Sequence, residues 1–367
     1  TGTRMLKQLF ESRKSPQCQM DIDFNKVLES PLSTCANTLA HFTPTEGYYN
    51  TLWTQLKRLY EILRDKFKVI ETIQLSMVST ELSHKRNFLL SIPGTYSVTN
   101  KYPRIEKLDQ TLPILTTQQH PRLLFMTDSD GRRWKFLLKG NEDLRLDQRI
   151  MQFFDLINSL LKTDSLTKRL HVDISKYAII PIAPNAGLIS WVTGADTMHQ
   201  LVMDYRKQNG IVPWAENEEM RVHVDCQFDL LNHLQKHEMW DIISDKFHAT
   251  ELRELFWEKA SDANSWLKCV DQFILSTALM SMAGYIIGLG DRHPCNIMIQ
   301  RQTGRVVHID FGDSFEIALN RDKMPEKVPF RLTRMLINAF GVSGIDGPFR
   351  SACESILRVL RNNKSSI

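Results

Sequence analysis

The sequence lacks the patterns that define disulfide-rich, metal-scaffold and repeat proteins. Its six cysteines form no C-x-x-C pair and show no regular spacing, so neither a zinc site nor a disulfide framework is indicated and a reducing cytosol fits best. No internal repeat occurs, and neither sign of charge dominates, since 46 Lys and Arg residues stand against 42 Asp and Glu residues. We therefore expect no direct contact with nucleic acid. With 42% apolar and 24% charged residues, the chain is expected to fold.

The two ends of the sequence lack the features of a complete protein. TGTRMLKQLF has no initiator Met and no signal-peptide core, and RNNKSSI stops within a helical pattern, so we expect a fragment of a longer chain. The longest uncharged run, FILSTALMSMAGYIIGLG at residues 273–290, meets crude criteria for a membrane span. Its Ser, Thr and Gly residues dilute the apolarity and no basic residues flank its start, which favours a buried core helix.

Three regions with different patterns of apolar and turn-forming residues follow one another along the chain. Residues 1–90 place apolar residues at helical spacing, up to a break at SIPGTY. Residues 91–192 contain the short β-like runs RIEKL, TLPILTT, RLLFMT, WKFLLKG, YAIIPI and GLISWV around one helical pattern, LDQRIMQFFDLINSLLK. Residues 193–367 are mainly helical apart from NIMIQ and RVVHIDFG, which QTGR joins as a hairpin. This order predicts an α+β fold with a cleft between two lobes.

Polar residues gather where the two lobes should meet. In GLGDRHPCN, Asp291 precedes Asn296 by five positions, as the Asp precedes the Asn in the catalytic loop of protein kinases. Asp310 then opens D-F-G after an apolar strand, which would aim a metal-holding carboxylate into the cleft. Taken singly, Asp291 could cap a helix, His293 could be a core histidine and Asp310 a turn residue. The three together favour phosphoryl transfer, with either Asp291 or His293 as acceptor of the substrate proton and Asp291 preferred.

The cation that such chemistry needs is Lys139, at the end of the strand WKFLLKG. Glu142, Asp143 and Asp147 follow it at the start of a helix and are candidate partners, although acidic residues also favour helix N-termini for dipole reasons. No G-x-G-x-x-G precedes Lys139. The loop in TLPILTTQQHPRLLF could instead offer backbone N–H groups and the hydroxyl of Thr116 or Thr117 to phosphate.

The motifs LLKGNEDLRLDQRIMQFF, YAIIPIAPNAGLISWV, GYIIGLGDRHPCNIMI, VVHIDFGDSFE and PEKVPFRLTRML resemble the phosphatidylinositol 3-kinase-related protein kinases, in particular the target of rapamycin branch. The resemblance covers residues 92–367. It implies a bilobal kinase fold, with an N-lobe at 91–192 and a C-lobe at 193–367. It also implies ATP, Mg²⁺ or Mn²⁺ as cofactor, and Ser/Thr protein substrates in nutrient and growth signalling.

The resemblance also assigns roles to matching positions. Lys139 would contact the ATP phosphates with Glu142 beside it, and Asp291 and His293 would form the catalytic loop. Asn296 and Asp310 would hold the metal. The remaining nucleotide-binding positions would be Asp147 and Tyr177 in the inner pocket, Trp191 and Val192 at the adenine hinge, and Thr117, Met298 and Ile309.

Residues 1–90 resemble part of the family's rapamycin-binding (FRB) helical bundle, without its first helix. Lys57 stands where the family normally has an aromatic residue, so weak or no binding of an immunophilin–rapamycin complex is expected. Trp53 and Tyr60 would line that site, or alternatively form the core of the bundle.

Other features imply partners. Residues 217–247 resemble the insertion that docks a WD-repeat subunit, or alternatively form a plain surface helical pair. The family further implies assembly in large TOR-type complexes and a cytoplasmic location with recruitment to endomembranes through partners. The terminal FATC segment of the family is not found after Ile367, and weak activity or stability of the isolated chain is expected.

Two other functions stay open: a lipid kinase of the same fold and an inactive scaffold. A segment that grips a phosphorylated inositol headgroup should be basic, whereas residues 313–329 carry three cationic and four acidic side chains. A scaffold should have lost Lys139, Asp291, Asn296 or Asp310, and all four are present. Ser314 and Cys295 depart from the family's usual cysteine and serine, and neither is a proposed ligand.

Overall fold

The computed structural model describes residues 19–40, 46–66, 71–98, 100–117, 119–223, 231–320 and 327–367. The chain divides into two compact units, Thr1–Glu71 and Thr72–Ile367. All residues predicted to bind the nucleotide, to bind the metal or to act in catalysis belong to the second unit.

The first unit contains two described helices, α1 (Gln19–Ala40) and α2 (Glu46–Lys66). Their contact buries Leu28, Leu32 and Cys35 of α1 against Leu59 of α2, at the three- and four-residue spacing of an amphipathic helix. Trp53 and Tyr60 lie on the other side of α2 and are 70% and 63% exposed. The alternative interpretation that these two aromatic residues form the bundle core is therefore wrong for the described part of this unit.

The second unit begins earlier than the predicted boundary at residue 90. Strand β1 (Thr72–Gln74) pairs antiparallel with β3 (Thr111–Pro113), and the short helices α3 (Leu75–Val78) and α4 (Thr80–His84) follow β1. Leu75 is buried in the hydrophobic core of the main sheet. Residues 72–90 therefore pack with the sheet, although their apolar spacing predicted a continuation of the N-terminal helices.

The main sheet has five antiparallel strands in the order β2–β4–β5–β7–β6. Its buried face is formed by side chains such as Ile105, Leu124 and Phe136. The strands correspond to the predicted β-like runs, and their bounds are β2 (Ile105–Leu108), β4 (Arg122–Asp128), β5 (Arg133–Gly140), β6 (Ile179–Ala183) and β7 (Ala186–Ser190).

Helix α5 (Arg145–Thr163) joins the sheet to the helical part of the unit. Its buried apolar residues belong to the large hydrophobic cluster that continues into the C-terminal helices, separate from the cluster under the sheet. The ring of Phe154 packs edge-on against that of Phe311, with 5.4 Å between the centroids. The helix is thus fixed next to the D-F-G sequence.

The C-terminal half of the unit is mainly helical. Its helices are α6 (Met198–Gln208), α7 (Ala215–His223), α8 (His233–Lys246), α9 (Glu251–Lys259), α10 (Ala263–Ile286), α11 (Glu316–Leu319), α12 (Arg334–Ala339) and α13 (Pro348–Asn362). Among the described residues, α10 alone is long and apolar enough to cross a membrane, but two thirds of its most apolar window is buried inside the unit. Phe273, Leu279 and Ala283 are fully enclosed, as the prediction of a core helix requires.

A three-stranded sheet in the order β10–β9–β8 carries the catalytic motifs. Strands β9 (Ile297–Gln300) and β10 (Val306–His308) form the predicted antiparallel hairpin, and β8 (Ala195–Thr197) pairs with β9. The GLGDRHPCN loop enters β9 and the D-F-G sequence leaves β10, so the hairpin brings the two motifs together. The predicted α+β bilobal fold is confirmed.

Candidate active site

A cavity of about 650 Å³ lies between the five-stranded sheet and the hairpin. It collects all the residues predicted to bind nucleotide or metal, together with His293. The lining consists of Leu115, Thr117, Gln119, Pro121, Leu137, Lys139, Glu142, Asp147, Tyr177, Ile189, Ser190, Trp191, Val192, Thr197, His293, Asn296, Met298, Ile309 and Asp310. Its volume is that of an ordinary small-molecule site.

Lys139 and Glu142 form an ion pair at the inner end of the cavity. The Lys139 ammonium lies 3.1 Å from Oε1 and 3.0 Å from Oε2 of Glu142, and both side chains are mostly buried. Lys139 is held near the end of β5, whose backbone pairs with Gly187 of β7. An amine fixed in this way is oriented toward the cavity, where it could contact phosphate oxygens.

The other two acidic candidates for pairing with Lys139 form their hydrogen bonds with other groups. Asp143 is exposed and binds Arg145 at 2.6 Å, and this hydrogen bond lowers the pKa of the Asp143 carboxyl to about 2. Asp147, in the first turn of α5, is buried and accepts the backbone N–H of Phe311 at Oδ1, 3.1 Å away. Burial raises the pKa of Asp147, partly opposed by this hydrogen bond, and the nearby Asp310 carboxylate raises it further.

Tyr177 lies deep in the cavity beside the same two carboxylates. Burial raises the pKa of its hydroxyl well above the ordinary value, and the charges of Asp147 and Asp310 add to the effect. The phenol therefore stays protonated and can donate a hydrogen bond.

Trp191 and Val192 form the outer wall of the cavity, directly after β7. The Lys135 ammonium lies 3.4 Å from the centre of the Trp191 ring, and the Trp191 backbone N–H donates to the Lys135 carbonyl at 3.0 Å. Burial lowers the pKa of Lys135. Lys135 thus holds the indole in place, a role that the alternating pattern of β5 did not reveal.

The loop that replaces a glycine-rich loop contributes Leu115, Thr117, Gln119 and Pro121 to the cavity. It closes on itself, because the N–H of Leu115 donates to the carbonyl of Pro121 at 2.9 Å. Of the two predicted threonines, Thr117 lines the cavity and Thr116 does not. Met298 of β9 and Ile309, which follows β10, supply apolar surface on the opposite side.

The loop before β9 brings Asp291, His293 and Asn296 together. The Asn296 side-chain amide donates to the backbone carbonyl and to Oδ2 of Asp291, at 3.0 and 3.1 Å. Nε2 of His293 lies 3.7 Å from Oδ2 of Asp291, while its Nδ1 accepts the N–H of Cys295 at 3.2 Å. Because Nδ1 is an acceptor, the neutral imidazole carries its proton on Nε2, the nitrogen that faces Asp291.

Asp291 and Asp310 share an unusual backbone conformation. Their φ angles are +55° and +62°, in the left-handed region that most non-glycine residues seldom adopt. The N–H of Ile309 donates to the carbonyl of Asn296 at 3.0 Å, which ties the loop before β9 to the segment after β10.

Asn296 and Asp310 fit a divalent cation that also binds phosphate. The amide nitrogen of Asn296 is engaged by Asp291, so its oxygen is the atom that can bind a cation. The described part of the chain contains no group of three or more His, Cys, Asp and Glu side chains arranged for a metal. Mg²⁺ commonly uses one or two protein oxygens and takes the rest from water and substrate phosphates, and the two residues present match that pattern.

Arg292 is a buried residue of the site to which the sequence assigned no role. It is only 7% exposed, and its Nε and Nη1 donate to the carbonyls of Gly290 and Ile309 at 2.7 and 2.9 Å. Nη2 donates to the carbonyl of Asp310. A charged residue in a polar loop is normally exposed. The signal that could have revealed it is its position between two motif residues.

The two departures from the family pattern are accommodated. Ser314 is fully buried and its hydroxyl donates to the carbonyl of Phe311 at 2.9 Å. Cys295 is exposed, and its contact with His293 uses the backbone N–H, which is independent of the side chain.

Comparison with known proteins gives consistent matches. Residues 133–367 match the phosphatidylinositol 3- and 4-kinase family. The chain is 38% identical over 369 residues to the serine/threonine-protein kinase tor1 of Schizosaccharomyces pombe, covering 99% of this chain and 16% of that protein. It is 41% identical over 315 residues to the serine/threonine-protein kinase TOR of Arabidopsis thaliana, covering 86% of this chain and 13% of that protein. The chain therefore spans about one sixth or less of the length of these two relatives.

Solved structures give the same result. The FAT and kinase domain of CtTel1 superposes with a TM-score of 0.69 at 26% identity, covering 91% of this chain and 24% of that chain.

Proposed function

Because this chain belongs to the phosphatidylinositol 3- and 4-kinase family, we propose that it is the catalytic core of a TOR-type serine/threonine protein kinase. The observation that carries the proposal is the convergence of Lys139, Asn296 and Asp310 on one cavity, with Asp291 beside Asn296. Phosphoryl transfer depends on positioning and charge stabilisation, and these are the groups that it needs.

Each residue has a distinct task in this mechanism. Lys139, held by Glu142, would bind the phosphates of ATP, and the apolar wall at Trp191 and Val192 would receive the adenine. Asn296 and Asp310 would hold the divalent cation, which we propose is Mg²⁺. When bound, the cation neutralises charge that develops on the phosphate oxygens.

Asp291 would accept the proton of the Ser or Thr hydroxyl. Nε2–H of His293 faces the same carboxylate. It would orient that carboxylate or stabilise the negative charge of the phosphoryl group in the transition state. Tyr177 and Asp147 would close the inner end of the cavity and exclude water from it.

Protein substrates are favoured over lipid substrates by two observations. The relatives are named serine/threonine-protein kinases, and residues 313–329 are net acidic in sequence, where a phosphoinositide headgroup would need cations. Residues 321–326 of that segment lie outside the described part of the chain.

We further propose that helices α7 and α8 dock a WD-repeat subunit within a large TOR-type complex in the cytoplasm, recruited to endomembranes through partners. Leu234 and Trp240 of α8 are exposed apolar side chains that suit a protein contact. The predicted insertion also includes residues 224–230, which lie outside the described residues.

The test compares acceptors. Radiolabelled ATP is supplied with a Ser/Thr peptide or with vesicles that contain phosphatidylinositol. We expect label in the peptide only. Label in the lipid alone would show that the protein is a lipid kinase. Label in neither acceptor would contradict both the protein-kinase and the lipid-kinase assignments.

A further inference from the structure

The peptide group that joins Asp310 to Phe311 is held at both of its polar ends. Its carbonyl accepts a hydrogen bond from Nη2 of Arg292, and its N–H donates to Oδ1 of Asp147 at 3.1 Å. The two side chains come from different elements, since Arg292 belongs to the loop before β9 and Asp147 to the first turn of α5. A peptide held at both polar ends by buried side chains cannot rotate without breaking both hydrogen bonds.

Both side chains are themselves fixed. Arg292 is anchored through Gly290 and Ile309, and its guanidinium carbon lies 5.7 Å from the centre of the Phe311 ring. Asp147 is only 4% exposed at the start of a helix. Phe311 is fully buried against Phe154 of that helix.

The conformation that this arrangement holds is otherwise unfavourable. Asp310 has a φ of +62°, a left-handed backbone conformation that is unfavourable for most non-glycine residues. Such a conformation persists where surrounding contacts determine it. Arg292 also holds the Ile309 carbonyl, so the peptides on both sides of Asp310 are fixed. Releasing them would let the Asp310 backbone leave the left-handed region and would move its carboxylate away from the cavity.

We propose that Arg292 and Asp147 are positioning residues that clamp the Asp310–Phe311 peptide and so keep the Asp310 carboxylate on the cation site. The proposal rests on the proposed kinase function. Neither residue needs to touch the substrate for this role.

The experiment compares Asp147→Ala with Asp147→Asn in the full protein, because the Asn amide oxygen can still accept the Phe311 N–H. We expect Asp147→Ala to lower kcat about tenfold and to raise the Mg²⁺ concentration for half-maximal rate about tenfold, as for loss of one strong hydrogen bond. Asp147→Asn should recover most of both losses. Asp143→Ala is the matched control, since Asp143 lies four residues away, is exposed and binds Arg145.

A second variant tests whether the two residues act on one peptide. Arg292→Ala should cause a similar loss, and the double variant with Asp147→Ala should be no worse than the worse single variant. Arg301→Ala, which breaks an exposed pair with Asp196, serves as the control for removing an arginine. Losses that multiply in the double variant would mean that the two residues act separately and would overturn the clamp.

Amide hydrogen exchange gives a readout without activity. In Asp147→Ala the Phe311 amide should exchange at least about tenfold faster, while the Ile309 amide, bonded to Asn296, should not change. Unchanged exchange at Phe311 in the folded variant would overturn the proposal even if activity fell. If the wild-type protein proved not to be a kinase, this measurement would still decide the clamp, so the two proposals fail separately.

Discussion

Asn296 and Asp291 are joined by their side chains, with Nδ2 of the amide 3.1 Å from Oδ2 of the carboxylate. This contact links the residue proposed to accept the substrate proton to one proposed to hold the cation. It also leaves the amide oxygen, rather than the nitrogen, as the atom that would hold the proposed cation.

Replacing Asp291 by Asn removes the proton acceptor while keeping the shape of the side chain. We expect kcat to fall by at least about 100-fold, the usual contribution of general base catalysis. His293→Ala should cost less, about tenfold, because His293 orients Asp291 or stabilises negative charge but does not accept the proton. Steady-state kinetics with a Ser peptide measures both. A larger loss for His293→Ala than for Asp291→Asn would reverse the two assignments.

The pairing of Lys139 with Glu142 predicts an effect on nucleotide binding. Glu142→Gln leaves the ammonium without its ion-pair partner and should weaken ATP binding about tenfold, equivalent to about 1.4 kcal/mol. Equilibrium titration with a fluorescent ATP analogue measures this. Asp143→Asn, one residue further along, is the control and should bind ATP as the unmodified protein does. Equal affinities for all three proteins would rule out a role for Glu142.

A buried ion-pair network should be important for stability. Arg206 of α6 donates from Nε to Glu251 at 2.9 Å and from Nη1 to Glu216 at 2.8 Å. Arg206→Ala leaves Glu251, which is buried, without its cation, and we expect the free energy of unfolding to fall by about 3 kcal/mol. Arg350→Ala, which removes two exposed ion pairs with Asp346 and Glu354, should change it far less. Denaturant titration measures the free energy of unfolding of both variants. Equal effects of the two substitutions would contradict the role of the network.

Lys57 should weaken the binding of an immunophilin–rapamycin complex. Trp53 and Tyr60 are exposed on α2 and are available as aromatic walls, but the ammonium of Lys57 must stay hydrated between them. Lys57→Tyr should strengthen binding about 10- to 100-fold by burying a further aromatic side chain. Titration of the immunophilin–drug complex against a protein that includes the first bundle helix measures it. Tight binding before substitution would overturn the expectation.

Patterns that depend on local spacing were predictable from sequence. The strands of the sheet, helix α5, the core helix α10 and the β9–β10 hairpin all follow from short-range periodicity and turn residues. The convergence of Lys139, Asn296 and Asp310 followed from motif order, because strand ends carry these residues to one cleft.

Features that depend on contacts between distant segments were not predictable. Three acidic residues follow Lys139 closely in sequence, and only the path of the backbone places Glu142 against it and Asp147 against Phe311. Arg292 is buried because carbonyls of Ile309 and Asp310 surround it. The three-residue strand β1 exists because it pairs with residues 111–113, a partner that its own sequence cannot reveal.

The most direct test of the proposed function is transfer of the γ-phosphate of ATP to a single-serine peptide by the full protein and by Asp310→Ala. The account predicts Mg²⁺-dependent labelling of the peptide by the unmodified protein and a loss of at least about 1,000-fold, or about 4 kcal/mol, in the folded variant. Retention of more than about a tenth of the rate by Asp310→Ala, a loss below about 1.4 kcal/mol, would contradict the assignment of this cavity as the site of phosphoryl transfer.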